Sequence, residues 1–182
     1  MSGPDETVIE LSKSKLRGVV AGALVFVAAS IWMVQMDAAQ VAEKGLVNDV
    51  VIMHGIGWAG LVFFGLCGFA GLLKIIDRKP GLVLSQAGIH DNSSYLAAGL
   101  IPWSDITGLS VFEVSGQRVM VVNVRDPERY ISLGSLPKRA LKRINHRLCG
   151  SPVGIASNSL KLGFEELLDT TGRYLQKYGG RY

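Results

Sequence analysis

Lys138, Arg139, Lys142, Arg143, His146 and Arg147 recur in pairs every four residues along LPKRALKRINHRLCG, residues 136–150. On a helix that spacing gathers the cations on one half of the wheel and places Leu141, Ile144 and Leu148 on the other. Such a helix is expected to dock by its apolar stripe and present its basic face. The chemistry the face offers is anion binding, to lipid headgroups or to an acidic protein surface. The residues expected to make the contact are Lys138, Arg139, Lys142, Arg143 and Arg147. Each cation near an anionic leaflet contributes about 1 kcal/mol, so three of the five contribute about 3 kcal/mol. That is enough to orient a domain that is already anchored. A solvated face that keeps the domain soluble is the competing reading.

Catalysis has no comparable constellation. The chain carries no Walker A loop, no G-x-S-x-G elbow, no H-E-x-x-H and no C-x-x-C. His54, His90 and His146 lie in three different kinds of segment, and Cys67 and Cys149 fall one in an apolar run and one in a soluble stretch. Neither set has metal-ligand spacing. Glu165 and Glu166 open a terminal helix, where the helix dipole favours negative charge. The expectation is a non-enzyme with no cofactor and no metal. The net charge of +4 is carried from Pro80 onward, where 12 Lys/Arg face 8 Asp/Glu. That excess suits a membrane surface or an acidic partner and is too small to argue for nucleic acid.

Two apolar runs must position this soluble half. Residues 18–36 form 19 residues with only Ser30 and Gln35 as polar interruptions, and residues 50–73 form 24 with His54 as the sole ionisable group. A bilayer core of about 30 Å needs about 20 apolar residues in a helix, so both qualify as transmembrane helices. The first is longer than a secretory signal core and is followed by a poor cleavage site. Lys13, Lys15 and Arg17 precede the first run, and Lys74, Arg78 and Lys79 follow the second. The connecting loop, residues 37–49, carries Asp37, Glu43 and Asp49 against Lys44. Positive flanks stay inside. The expected topology in a bacterium has residues 1–17 and 80–182 cytoplasmic and a short external loop in the inner membrane.

Small residues in these runs indicate close helix packing. Gly18 and Gly22 open the first, and Gly57, Gly60, Gly68 and Gly71 fall within an arc of about 80° on the second at 3.6 residues per turn. These six are the candidate packing seam, either within the hairpin or between copies in a homo-oligomer.

KIIDRKP joins the second run to the soluble half, and seven extended residues span at most about 25 Å. GLVLSQAGIHD reads as strand, turn, strand; SSYLAAGL as a loop or hairpin end; DITGLSVFEV and QRVMVVNVRD as two strands joined at Ser115-Gly116. A turn at DPE precedes a short strand expected over RYISL, then the basic helix, a strand at PVGIA and a terminal helix over GFEELLDTTGRYLQKY. Strands followed by helices indicate an α+β domain. TVIEL near the N-terminus is a candidate to pair with the sheet edge from the same side of the membrane.

IPWSDI, residues 101–106, could be an active site or a fold signature. Pro102 suits a strand start or an edge. Trp103 supplies core surface. Asp105 is suited to accept backbone hydrogen bonds at the turn into the strand that Ile106 begins. Pro102, Trp103 and Asp105 are therefore read as a fold signature. At these residues and at Gly88-Ile89 the chain resembles bacterial inner-membrane proteins with two transmembrane helices and a pleckstrin-homology-like (PH-like) domain. The resemblance implies a membrane-anchored PH-like antiparallel sheet sandwich or barrel with C-terminal helices. SQAGIHDNSSY, residues 85–95, contains no Lys or Arg, so phosphoinositide recognition is not implied. The expected function is a non-catalytic interaction or scaffold protein at the inner face of the membrane. Its partners would be the lipid bilayer, anionic headgroups or another membrane protein. An accessory or immunity-type subunit acting through its hairpin, and an anionic-lipid-coupled sensing module, are the alternatives.

Overall fold

The structure, a computed structural model, describes residues 5–37, 39–40 and 49–179. The chain divides into two compact units, Lys13–Asp77 and Met1–Ser12 with Arg78–Tyr182. Glu43 and Lys44 of the expected external loop lie outside the described residues.

The first unit is a helical hairpin of α1 (Lys13–Gln35) and α2 (Val50–Ile76). Both helices are long and apolar enough to cross a membrane. Only 17% of the most apolar stretch of α1 and 6% of that of α2 is buried. Asp49 caps α2, its Oδ1 accepting the Val51 N–H over 2.7 Å. One helical turn further, His54 Nε2 lies 2.8 Å from the Met36 carbonyl. Met36 and Met53 are buried there against Met33 and Val50. At the other end Lys74 pairs with Asp77 over 3.3 Å.

The second unit contains two antiparallel sheets. One runs β1 (Thr7–Ile9), β2 (Leu82–Ser85), β3 (Gly88–Asp91), β4 (Gly99–Pro102); the other runs β5 (Ile106–Val114), β6 (Gln117–Val124), β7 (Gly154–Ala156). Alternation drives the first sheet: Leu82 and Leu84 point inward from β2, Ile89 from β3 and Ile101 from β4, all fully buried. The β2–β3 turn ends at Gly88, where a Cβ would lie 2.2 Å from the Ile101 carbonyl oxygen, so only glycine fits. The β5–β6 hairpin turns on Ser115 and Gly116, both with positive φ, which matches the right-handed twist of the strands. A 3-10 turn, Trp103–Asp105, leads from β4 to β5. Among the described residues the two sheets stay separate and do not close a barrel.

β1 precedes the hairpin in the chain, and its partner β2 follows it. Thr7 pairs with Leu84, Val8 with Val83 and Ile9 with Leu82. On its other side this segment meets residues 159–161, through a bridge between Leu11 and Leu160 and the bond from Ser12 N–H to the Ser159 carbonyl. Ile9, Leu11 and Leu160 are buried as a result. The pairing expected of TVIEL is present, and the sheet joins the two chain segments that flank the hairpin.

Three helices complete the unit: α3 (Pro127–Ile131), α4 (Leu136–Cys149) and α5 (Phe164–Tyr178). α3 replaces the strand expected over RYISL. Asp126 accepts the Arg129 N–H and Pro127 occupies the first turn, a combination that starts a helix. This one turn buries Tyr130 and Ile131. α5 touches β2 of one sheet and β6 of the other, with Leu167 and Thr171 fully buried.

Candidate interaction surface

α4 begins with Pro137 in its first turn and ends at Gly150, whose φ of +81° is the left-handed cap that glycine favours. Its orientation inverts the expected one. Lys142 is only 2% exposed, and its Nζ donates to the Tyr130 carbonyl over 3.1 Å. Burial holds the Lys142 ammonium below its usual pKa; the nearby charge of Lys138 adds to that, and Asp91 opposes it. Lys138 places its Nζ 4.5 Å from the centre of the Tyr95 ring. His146 Nδ1 is buried with no hydrogen-bond partner among the described residues. Cys149 is partly buried, and that burial raises its thiol pKa, which disfavours a reactive thiolate.

The leucines point the other way. Leu136 is 78% exposed, Leu148 65%, Ile144 49% and Leu141 43%, and Leu133 just upstream is 47% exposed. Arg139, Arg143 and Arg147 are exposed beside them. Arg139 Nε donates to the Gly134 carbonyl, and Arg143 lies 3.7 Å from Glu128. Of the five cations expected on one outward face, Lys142 is therefore buried and Lys138 half-buried, while the three arginines are outward. The apolar stripe expected to dock is exposed. The docking contact is the Tyr130 carbonyl, which lies in the helix where a strand was expected.

Four of the six candidate seam glycines lie between α1 and α2. A Cβ on Gly57 would sit 2.7 Å from Val34 Cγ2 and 3.0 Å from the Ser30 carbonyl; one on Gly60, 2.5 Å from Ser30 Oγ; one on Gly71, 2.8 Å from Val20 Cγ2. Gly68 faces the Ala23 Cβ at 3.5 Å. Gly18 and Gly22 have nothing within 4 Å of a built Cβ and are not part of this seam.

In the IPWSDI segment, Pro102 ends the edge strand β4, and Trp103 is buried with its Nε1 donating to the Ser85 carbonyl over 2.8 Å. Tyr174 of α5 stacks on Trp103 with 6.2 Å between ring centres. Asp105 differs from its expected role. Its Oδ2 accepts two side-chain bonds, from Arg129 Nη1 at 2.7 Å and Tyr130 Oη at 2.8 Å. Burial first, and the Asp105 carboxylate second, push the Tyr130 hydroxyl up to about 12. Two carboxylates that sequence reasoning passed over also tie the unit together. Asp91 is buried and accepts from Ser93 N, Ser93 Oγ and Ala98 N, which fixes the loop between β3 and β4. Asp5 accepts from Lys177 Nζ and Tyr178 Oη of α5, bonds that lower the Asp5 pKa and raise those of Lys177 and Tyr178.

Among the described residues no group of three His, Cys, Asp or Glu side chains is placed to hold a metal ion. No protein-family model, curated protein or solved structure matches the chain.

Proposed function

We propose that the chain is a non-catalytic interaction module, anchored in the bacterial inner membrane by α1 and α2, with its sheet unit held at the cytoplasmic face. The observation that carries this reading is the β1–β2 pairing. A strand before the hairpin and a strand after it can share a sheet only if both ends of the hairpin emerge on one side of the bilayer. The basic flanks make that side the cytoplasm. The finer identity of the sheet unit is PH-like: four strands, then three, then a terminal helix that spans both sheets support it. The hydrogen bonds of Asp91 and Asp105 support a non-catalytic role, because both carboxylates are occupied in fixing loops and turns.

The test is topology in sealed membrane vesicles of known orientation. Cysteines at Val8, Glu113 and Glu43, each alone in a background of Cys67→Ser and Cys149→Ser, are labelled with a membrane-impermeant maleimide. Positions 8 and 113 should react from the cytoplasmic side and position 43 from the opposite side. Labelling of all three from one side would mean the hairpin does not span.

A second reading has its own observation. Gly18 and Gly22 leave an open small-residue face on α1, which favours an accessory subunit that packs another membrane helix there. Leucine at these two positions would then abolish co-purification of a membrane partner while leaving the hairpin folded.

A further inference from the structure

An amphipathic helix on a water-soluble domain turns its leucines inward, and α4 turns them outward. Its wheel, at about 100° per residue, divides the outward half into two bands. Pro137, Leu141, Ile144 and Leu148 form one, and Arg139, Arg143 and Arg147, spaced four apart, form the other. Leu133, just before the helix, and Leu136, its first residue, are also exposed; Leu136 falls in line with Arg143 and Arg147 on the wheel. The inner side is fixed by the buried Lys142 and by Lys138 against Tyr95, so the outward leucines are held in place rather than left to rotate inward. Tyr95 is itself 42% exposed at the helix start.

We propose that the outward face of α4 lies in the interfacial layer of an anionic bilayer. Its leucines sit at the level of the first acyl carbons and its three arginines at the phosphates. An apolar band bordered by cations is what an in-plane membrane helix requires. Arginine suits the phosphate contact because its planar fork donates in pairs. Tyr95 adds an amphipathic ring of the type enriched at headgroup level. Connectivity supplies the proximity. Ser12 alone separates the bridged Leu11 from the start of α1, and five residues, 77–81, separate α2 from β2. Five extended residues reach at most about 18 Å. The inference rests on the membrane-anchored reading above. A partner protein would have to answer three arginines with carboxylates, whereas an anionic leaflet presents negative charge along the whole helix.

The test uses the full chain reconstituted in vesicles of phosphatidylcholine, with and without phosphatidylglycerol. An environment-sensitive fluorophore is placed on a single cysteine at Ile144, Leu148, Glu113 or Leu66, in the background lacking Cys67 and Cys149. Lipids carrying a quencher near the headgroup, or deep in the chain, report contact. The expected result is shallow quenching at positions 144 and 148, deep quenching at 66 and none at 113. Quenching at 144 should at least halve in vesicles lacking phosphatidylglycerol, and should fall likewise with Arg139, Arg143 and Arg147 all replaced by Gln. Quenching at 66 without quenching at 144 overturns the proposal while leaving the anchor intact. No quenching at 66 overturns both. Disulfide-linked dimers through Ile144→Cys without lipid quenching also overturn it, and assign the face to a second copy of the chain.

Discussion

The ammonium of Lys142 donates to the backbone carbonyl of Tyr130 over 3.1 Å, from a side chain almost wholly out of solvent. Together with Lys138 against the Tyr95 ring, this contact marks the inner side of α4. The carbonyl belongs to the last turn of α3, where helix ends leave oxygen atoms without intrahelical partners, and a lysine is a suitable donor for them. Burial and the charge of Lys138 disfavour the ammonium, and Asp91 offsets them only in part.

Substitution at Lys142 separates charge from packing. Lys142→Met keeps the aliphatic stem and removes the ammonium, and its thermal midpoint should stay within a few degrees of the parent. Lys142→Glu sets a carboxylate against a carbonyl in a buried place, and should cost about 3 kcal/mol or more. Circular dichroism melts of the full-length protein in detergent distinguish the two. Equal melting of the glutamate variant and the parent would put the side chain in solvent.

Why α4 was legible as a helix and illegible in its orientation follows from these residues. The four-residue spacing of LPKRALKRINHRLCG and the cap at Gly150 are local signals, and they carry the helix. The docking face depends on a carbonyl at residue 130. That carbonyl is available only because Asp126 and Pro127 nucleate α3 in a stretch whose tyrosine, isoleucine and leucine read as a strand. Strands β2, β3, β5, β6 and β7 and the terminal helix were legible from patterns within their own segments, and the two apolar helices from the length of their apolar runs. Strand β4, whose first residues read as part of a loop or hairpin end, was not, because Gly99–Pro102 is too short to carry an alternation of its own. The side-chain partners of Asp105 were not, because Arg129 and Tyr130 come from an element about two dozen residues away. The glycines divide along the same line. Composition marked all six, but only the packing of α1 on α2 separates Gly57, Gly60, Gly68 and Gly71 from Gly18 and Gly22.

Burial of the Tyr130 hydroxyl, with its bond to Asp105 second, makes stability fall at alkaline pH. The hydroxyl pKa is raised to about 12 in the folded chain, against about 10 for an ordinary tyrosine. A raised value means that the folded state holds the proton more tightly. The stabilisation is therefore complete below about pH 10 and disappears as the pH rises towards 12. The two-unit difference amounts to about 2–3 kcal/mol. Tyr130→Phe should destabilise the domain at neutral pH and flatten its stability between pH 10 and 12. Denaturant titrations across that range measure the effect. A parent protein with no slope there would contradict the assignment.

Acid should loosen the other end of the sheet unit. Bonds from Lys177 and Tyr178 hold the Asp5 carboxyl below its usual range. A depressed carboxylate contributes its stability above about pH 4, and that contribution is lost as the pH falls through the folded value. Thr7 Oγ1 and Tyr174 Oη, 2.9 Å apart, then remain as the neighbouring side-chain link between β1 and α5. Amide hydrogen exchange of residues 7–9, corrected for intrinsic rates, should be faster at pH 3 than at pH 6. In Asp5→Asn it should be fast at both. Exchange of β1 that is equally slow in the parent and in Asp5→Asn at pH 6 would show that the strand pairing alone holds the segment.

The hairpin seam can be read by cross-linking, because Ala23 and Gly68 bring their Cβ positions within 3.5 Å. Natural disulfides span Cβ separations of about 3.5–4.5 Å. In a chain lacking Cys67 and Cys149, Ala23→Cys with Gly68→Cys should therefore oxidise readily and shift mobility on non-reducing gels. Leucine at Gly57 has no room, since its first side-chain atom meets Val34 and the Ser30 carbonyl. Overpacking of this kind costs about 1–3 kcal/mol, and a backbone oxygen cannot swing aside as a side chain does. Gly57→Leu should suppress the cross-link, whereas Gly18→Leu and Gly22→Leu, with open space around them, should leave it intact. If the Gly18 and Gly22 variants suppress it as strongly as Gly57→Leu, the two helices pack through a different pair of faces.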